Sequence, residues 1–254
     1  YAMNIGINHS KGKYIIRLDA HAEYPKDYFS RCVFYLNTIN ADNVGGVVET
    51  KGKGFVGKAI AKILSSKFGV GNSQFRTDGK SGYVDTVPFG AFKREVFDKW
   101  GGFDERLTRN QDNEMNYRIR KNGGKIFLAD DIRLSYYSRD SIGGLCDMAV
   151  KNGMWNIITM KLCPGAMSAR HFIPLAFTAS LIFLLVAHLF YAPFLSLLAA
   201  ESALYLFLDF LFSLKLAGGG KEFLLLLLLF PVFHFTYGFG SLKGIVVLIG
   251  TSEY

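Results

Sequence analysis

Cysteine is scarce in this sequence, and the few cysteines form no motif. Cys32, Cys146 and Cys163 are the only three among 254 residues, and no Cys-x-x-Cys or Cys/His pairing connects them. A disulfide framework and a structural zinc site are therefore excluded. The pattern suits a protein of a reducing compartment.

The sequence also lacks the polar bias of a disordered chain, because 50% of its residues are hydrophobic and only 20% are charged. The charge is unevenly placed. Residues 1–170 carry 26 Lys and Arg against 17 Asp and Glu, whereas residues 171–254 carry 3 against 4. Aromatic residues are concentrated in the second part instead of interleaving with Lys and Arg. We therefore expect no nucleic-acid partner.

Charged side chains are missing altogether between Arg170 and Glu201, a stretch long enough for a membrane span of about 20 residues. We predict three transmembrane helices, at 172–190, 194–214 and 223–241. The alternative, a buried helical core of a soluble protein, does not suit three segments with almost no polar face. Glu201 and Asp209 should face other helices, because a carboxylate exposed to lipid is costly.

The positive charges around these segments predict their orientation. Lys161 precedes the first span, Lys215 and Lys221 lie between the second and third, and the loop between the first and second has neither Lys nor Arg. By the positive-inside rule, the part before the tail is expected on the cytoplasmic side of the inner (plasma) membrane. Lys243, beyond the third span, is an objection to this topology.

Short apolar runs alternate with helix-forming segments through the first part of the chain. This alternation predicts an α/β domain with a mostly parallel sheet over residues 1–165, followed by a membrane domain over 166–254. Strands are expected at 13–18, 44–49, 83–88 and 125–129, and helices at 27–37, 55–68, 94–99 and 111–122.

A carboxylate and an imidazole follow the first predicted strand. Asp19 and His21 stand two residues apart, so in an extended segment they project to the same side. Such a pair can hold a divalent cation that bridges a diphosphate. The alternative is a turn at the strand end, in which Asp19 accepts hydrogen bonds from backbone amides.

Asp112 lies at the start of the helix predicted over 111–122. One interpretation is that it complements the helix macrodipole. The other is that it accepts a proton from an acceptor hydroxyl, a task that the neighbouring Gln111 cannot share because an amide does not titrate. Trp155, shortly before the first span, similarly suits either an interfacial anchor or a stacking surface for a base or sugar.

Several segments, taken in order along the whole chain, carry a resemblance to a known family. They are NIG (4–6), SKG (10–12), RLDAHAEYP (17–25), FGVG (68–71), VPFGAF (87–92), GGFDE (101–105) and QDNEMNYR (111–118). Together with the apolar tail, they resemble family 2 glycosyltransferases of the GT-A fold, of the membrane-bound succinoglycan-biosynthesis type.

The resemblance implies a role for each candidate site residue. Asp19 and His21 would bind Mn²⁺ or Mg²⁺ and the diphosphate of a nucleotide-sugar donor, and Asp112 would be the general base. Trp155 would also contact the donor. The acceptor site would be formed by Phe89, Gly90, Ala91 and Gln111.

The sequence departs from the family pattern at two positions and at its start. Gln111 stands where the family has Glu, and Met154 stands where related synthases have an Arg before the Trp. The metal motif comes as early as residue 19, and a domain missing half its sheet has little core. We therefore expect the chain to be a fragment that lacks the nucleotide-binding half.

Two functions follow from these observations. The first is an inverting glycosyltransferase, which moves a sugar from a nucleotide-sugar donor to a glycan acceptor, expected to be lipid-linked, in the synthesis of a cell-surface or exported polysaccharide. Its partners would be the donor, the acceptor and membrane lipids. The second is a non-catalytic membrane scaffold of a polysaccharide assembly complex, favoured by Gln111 and Met154.

Overall fold

A computed structural model describes residues 2–77 and 79–250. They form two compact units, each made of several stretches of chain. The first unit contains the described residues up to Lys51, then Asn72–Tyr137 and Thr159–Met167; the second contains Gly52–Gly71, Ser138–Ile158 and the residues from Ser168 onward. The predicted domains divide the chain once, at residue 165, whereas these units interleave along the sequence.

The first unit is built on a six-stranded mixed sheet. Its strands are β1 (Tyr14–Ile16), β2 (Ala22–Glu23), β3 (Asn43–Lys51), β4 (Gly82–Tyr83), β5 (Ala91–Lys93) and β6 (Ile126–Tyr137). They lie in the order β1-β5-β3-β6-β2, and β4 also pairs with β6. In the described residues only β3 and β6 pair in parallel.

The α/β class is therefore confirmed, but the sheet is mixed where a mostly parallel one was expected. Every strand other than β3 and β6 has only two or three residues. A strand can reach an antiparallel neighbour through a short turn, whereas a parallel neighbour requires a long crossover connection. The short strands therefore pair in the antiparallel direction.

Helices cover most of the remaining described chain. In chain order they are α1 (Ala2–His9), α2 (Tyr28–Thr38), α3 (Gly54–Leu64), α4 (Lys67–Val70), α5 (Gln74–Thr77), α6 (Arg94–Trp100), α7 (Gln111–Lys121), α8 (Ile142–Leu162), α9 (Ile173–Ala187), α10 (Pro193–Leu216) and α11 (Gly220–Gly250). A 3₁₀ turn at Ala169–Phe172 precedes α9.

Two sequence predictions need correction. The helix expected over 55–68 is two helices, α3 and α4, separated at Ser65 and Ser66. The strand expected over 83–88 is wrong beyond Tyr83, where β4 ends. Pro88 has no N–H to donate to a neighbouring strand, and Phe89 has φ +52°, outside the extended region.

The pairing of β3 with β6 organises the first unit. It runs from Asn43 opposite Ile126 to Lys51 opposite Tyr137, with a register shift between Gly46 and Val47. A Cβ on Gly46 would lie 2.3 Å from the carbonyl oxygen of Ile132, so this close approach requires glycine.

Apolar side chains cover both faces of this sheet. On one face Val47 joins a cluster with Met115 and Ile119 of α7. On the other, Val48 joins a cluster with Cys32 and Leu36 of α2. Neighbouring residues of β3 therefore point to opposite sides, as the two-residue period of a strand requires. The sheet lies between α2 and α7.

The second unit combines α3 and α4 with the apolar tail. Ile60 and Ile63 of α3 are fully buried in a cluster with Leu229 and Phe230 of α11. The Phe68 ring in α4 stacks on Phe212 of α10, with the ring centroids 5.0 Å apart. These two helices were expected to belong with the sheet, and the structure instead packs them with the tail.

Three helices of the second unit are long and apolar enough to cross a membrane, namely Ala169–Ala187, Pro193–Leu216 and Gly220–Gly250. They overlap the predicted spans, but the first helix ends at Ala187 instead of residue 190, and the last extends nine residues beyond the predicted end at 241. Of the three carboxylates in these helices, the two singled out in the sequence, Glu201 and Asp209, face protein, as expected. Glu201 accepts a hydrogen bond from Ser180, and Asp209, 1% exposed, accepts one from Ser213.

Glycine allows α8 and α11 to pack closely within this unit. A Cβ on Gly153 would lie 2.1 Å from the carbonyl oxygen of Tyr237, and one on Gly240 would lie 2.3 Å from that of Val150. Backbone groups cannot move aside as a flexible side chain does. Any larger residue at these two positions must therefore separate the helices.

We predict that Gly153→Ala lowers the free energy of unfolding of the second unit by about 1–3 kcal/mol, the usual cost of overpacking. The measurement is thermal or denaturant unfolding of the detergent-solubilised protein. Gly143→Ala, on the same helix, is the matched control, because nothing lies within 4 Å of its Cβ position. Equal stability of the two variants would contradict the close packing described here.

Candidate active site

Asp19 and His21 lie in the loop between β1 and β2. The Asp19 Oδ1 atom accepts a hydrogen bond from the His21 backbone N–H at 2.9 Å and lies 3.1 Å from His21 Nδ1. The side chains are 27% and 66% exposed, respectively. The turn in which Asp19 accepts a backbone hydrogen bond is thus confirmed, and the two predicted ligands are adjacent and accessible.

The donor set of this loop fits a cation that shares its coordination with a substrate. No group of three or more His, Cys, Asp or Glu side chains placed to hold a metal occurs in the part of the chain that the structure describes. One carboxylate and one imidazole leave several coordination positions to phosphate oxygens and water, as is common for Mg²⁺ in nucleotide sites. The metal site itself stays a prediction.

Backbone and aromatic contacts fix the position of this loop. The Tyr24 hydroxyl oxygen accepts a hydrogen bond from the Asp19 N–H at 2.7 Å. Burial raises the pKa of Tyr24, so its hydroxyl stays neutral at physiological pH. At the other end, the Tyr137 N–H donates to the His21 carbonyl oxygen at 3.1 Å, and Ala22 pairs with Tyr136. The loop is therefore joined to the end of β6.

The segment predicted to form the acceptor site is held rigidly. Phe89 has φ +52°, and its carbonyl oxygen accepts a hydrogen bond from the Tyr28 hydroxyl at 2.7 Å. A Cβ on Gly90 would lie 2.2 Å from the Asn43 side chain, so no larger residue fits. Ala91 is fully buried in β5 and supports the segment from below.

A buried amide network joins this segment to α7. The Asn116 Nδ2 group donates to Thr86 Oγ1 at 2.7 Å and to the Val87 carbonyl oxygen at 3.0 Å. Its Oδ1 accepts a hydrogen bond from Asn43 at 2.6 Å. Sequence analysis did not single out Asn43 or Asn116, because a buried amide has no distinguishing sequence pattern. The network fixes α7, and with it Asp112, relative to the segment.

Asp112 lies in the first turn of α7. Asn110, at the N-cap, has the left-handed φ of +64° and makes no side-chain capping bond to the helix. The Asp112 Oδ1 atom accepts a hydrogen bond from the Asn113 N–H at 3.0 Å, and the carboxylate is partly exposed. Gln111 Nε2 donates to the Leu107 carbonyl oxygen at 2.8 Å. Of this pair, Asp112 is the titratable group.

Arg76 connects the loop with Asp112, and sequence analysis missed it. Its guanidinium lies over the Phe75 and Tyr136 rings, 5.5 and 5.4 Å from their centroids, and donates to Thr50 Oγ1 at 2.7 Å. Burial lowers the pKa of Arg76, and the nearby Tyr136 and Asp112 oppose that shift. No motif surrounds Arg76 in the sequence, so only the fold identifies it.

One ring contact and one electrostatic effect relate Arg76 to the candidate residues. Tyr136, under the guanidinium, pairs with Ala22 next to His21. Asp112 interacts electrostatically with the same guanidinium. Trp155 belongs to α8 in the second unit, where it is partly buried. Its proposed contact with the donor stays a prediction.

Comparison with known proteins identifies a family for the first part of the chain. Residues 1–101 match the family model described as Glycosyl transferase family 2. The chain is 36% identical over 126 residues to the succinoglycan biosynthesis protein ExoA of Rhizobium meliloti (strain 1021), covering 50% of this chain and 38% of that protein.

A second curated relative is the dolichyl N-acetyl-alpha-D-glucosaminyl phosphate 3-beta-D-2,3-diacetamido-2,3-dideoxy-beta-D-glucuronosyltransferase of Methanococcus voltae. It is 25% identical over 174 residues, covering 62% of this chain and 54% of that protein. The chain thus spans 38% of the length of the first curated relative and 54% of the length of the second.

Among solved structures, the crystal structure of S. aureus TarS 1-349 in complex with UDP-GlcNAc aligns with a TM-score of 0.40 and 12% identity, over 94% of this chain and 70% of that one. This similarity is too distant to support an argument about individual residues. The family model and the curated relatives confirm the resemblance indicated by the sequence: residues 1–101, a part of the chain, match glycosyl transferase family 2.

Proposed function

We propose that the protein transfers a sugar from a nucleotide-sugar donor to a glycan acceptor at a membrane, with inversion at the anomeric carbon. The observation that supports this most is the meeting of two features at Arg76. The loop of Asp19 and His21 is joined to the strand end beneath its guanidinium, and Asp112 interacts with the same charge. A leaving diphosphate and an attacking hydroxyl must lie close together for the transfer to occur.

In the proposed reaction, the acceptor hydroxyl oxygen attacks the anomeric carbon of the donor sugar. The bond from that carbon to the phosphate oxygen breaks, and its electron pair leaves with the nucleoside diphosphate. The hydroxyl proton passes to the Asp112 carboxylate, which is partly exposed and has a second oxygen beside the one bonded to Asn113. Attack opposite the leaving group inverts the configuration.

Asp19 and His21 would hold a divalent cation, Mn²⁺ or Mg²⁺, together with the donor diphosphate. When bound, the cation supplies positive charge beside the leaving phosphate. The chain itself supplies a carboxylate and an imidazole, which are adjacent in one turn. Backbone bonds at both ends of the loop fix their direction before the donor arrives.

The acceptor is proposed to be a lipid-linked glycan at the cytoplasmic face of the inner membrane. Three helices are long and apolar enough to span a membrane, which suits an enzyme with a lipid-borne substrate. The name of the Methanococcus voltae relative includes a dolichyl phosphate, which is a lipid carrier. The succinoglycan biosynthesis relative supports a role in polysaccharide synthesis.

A non-catalytic scaffold is the second candidate, favoured by Gln111. Its side chain is bound to the Leu107 carbonyl oxygen and stands where a carboxylate is expected. Calorimetry with UDP- or GDP-sugars and Mn²⁺ on the full-length protein separates the two functions. A transferase gives metal-dependent heat of binding, whereas a scaffold gives none.

We predict that Asp112→Asn lowers kcat for sugar transfer by about 10²- to 10⁴-fold, because asparagine keeps the shape but cannot accept a proton. The KM for the donor should hardly change. The measurement is transfer by the full-length protein in membranes. Asp98→Asn, an exposed carboxylate on α6, is the control and should behave as wild type. Undiminished transfer by Asp112→Asn would refute its role as the base.

We predict that chelation by EDTA abolishes transfer and that Mn²⁺ or Mg²⁺ restores it. Asp19→Asn and His21→Ala should raise the metal concentration needed for half-maximal activity by at least about tenfold. The matched control is Glu23→Gln in the same loop region, whose carboxylate accepts a hydrogen bond from the Tyr137 hydroxyl. Full activity in EDTA would exclude a metal at this loop.

A further inference from the structure

Arg76 is a partly buried cation held by a hydroxyl group and two aromatic rings. Its contacts in the described part of the chain are the Thr50 hydroxyl, at 2.7 Å, and the rings of Phe75 and Tyr136. No described carboxylate is within ion-pair distance of it, whereas Arg31, Arg106, Arg118 and Arg133 all form ion pairs. Burying a guanidinium without an ion pair costs free energy, and a bound anion offsets that cost.

The sheet fixes where this guanidinium lies. Thr50 of β3 stands directly opposite Tyr136 of β6, and Tyr136 is in turn opposite Ala22 of β2. Arg76 contacts two members of this row of three, one by a hydrogen bond and the other by ring stacking. Its position is therefore set by the strand register rather than by the short helix α5 on which it stands.

Among the described residues, Arg76 uses little of its hydrogen-bonding capacity. A guanidinium has five N–H donors, and the structure assigns one side-chain hydrogen bond to it, from Nη1 to Thr50. The planar arrangement of the remaining donors matches two oxygens of a phosphate group. A lysine at this position would supply the charge but neither the ring stacking nor the paired donors.

The surroundings of Arg76 indicate which anion it binds. The loop of Asp19 and His21 is joined to the strand end beneath the guanidinium, because the His21 carbonyl oxygen accepts a hydrogen bond from the residue after Tyr136. The charge of Asp112 opposes the lowering of the Arg76 pKa that burial causes. In the proposed function, the leaving diphosphate is bound at the metal loop and faces the general base. Negative charge develops on this diphosphate as the sugar departs.

We propose that Arg76 is a phosphate-binding residue of the donor site, which contacts the diphosphate of the nucleotide-sugar and of the nucleoside diphosphate product. This inference rests on the proposed function. Arg76 acts directly on the leaving group and stabilises the charge that develops on it, while Thr50 and Tyr136 hold the guanidinium in place.

The test compares product inhibition by a nucleoside diphosphate with inhibition by the corresponding nucleoside. UDP and uridine, or GDP and guanosine, are used with Mn²⁺ on the full-length membrane protein. Arg76→Gln should raise the Ki of the diphosphate by about 10- to 100-fold, the loss expected for a charge-assisted hydrogen bond, and leave that of the nucleoside unchanged. Arg76→Lys should recover part of the loss.

Arg133→Gln is the matched control for this test. Arg133 stands three residues before Tyr136 on β6, but it is exposed and paired with Glu49. Its replacement should leave both Ki values and transfer unchanged. Thermal unfolding of all three variants identifies any loss of folded protein, which lowers kcat without a selective effect on the diphosphate.

Three results would overturn the proposal for Arg76. They are equal loss of diphosphate and nucleoside binding in Arg76→Gln, a fall in kcat with unchanged diphosphate Ki, and no change at all. If wild type transfers sugar while any of these holds, the proposed function stands and only the role of Arg76 fails. If wild type neither transfers sugar nor binds a nucleoside diphosphate with Mn²⁺, both proposals fail.

Discussion

The parallel pairing of β3 with β6 is the constraint on which the candidate site depends. It places Thr50 opposite Tyr136, and the two together hold the guanidinium of Arg76. The same strand β6 pairs with β2 and so carries the loop of His21. A shift of one residue in this register would turn Thr50 and Tyr136 to other neighbours and separate the three parts of the site.

A second constraint is the network of buried amide hydrogen bonds made by Asn116 and Asn43. The amide of Asn116 links α7 to the loop before Phe89, and Asn43 continues that link to the first residue of β3. Asp112, the proposed base, and the proposed acceptor segment at Phe89 are therefore connected to the strand that positions Thr50. The proposed transfer needs its base, its acceptor surface and its phosphate site in fixed relation, and two short polar networks provide this here.

Sequence reasoning predicted what depends on local pattern and missed what depends on tertiary contacts. The helix that begins at Gln111 and the three apolar helices follow from periodicity, hydropathy and end signals, and the structure contains them. Arg76 carries no such signal, because its partners are 26 and 60 residues away in sequence. Likewise, α3 has an ordinary amphipathic pattern, which indicates a buried face but not that α11 covers it.

The interleaving of the two compact units limits how this protein can be handled. The chain passes from one unit to the other five times, at residues 51, 71, 137, 158 and 167. A shortened chain ending before the apolar tail would still contain α3 but would have lost α11, leaving Ile60 and Ile63 uncovered. Such a surface promotes self-association in water. Solubilisation in detergent or nanodiscs, with the tail retained, is therefore the route to a well-behaved sample.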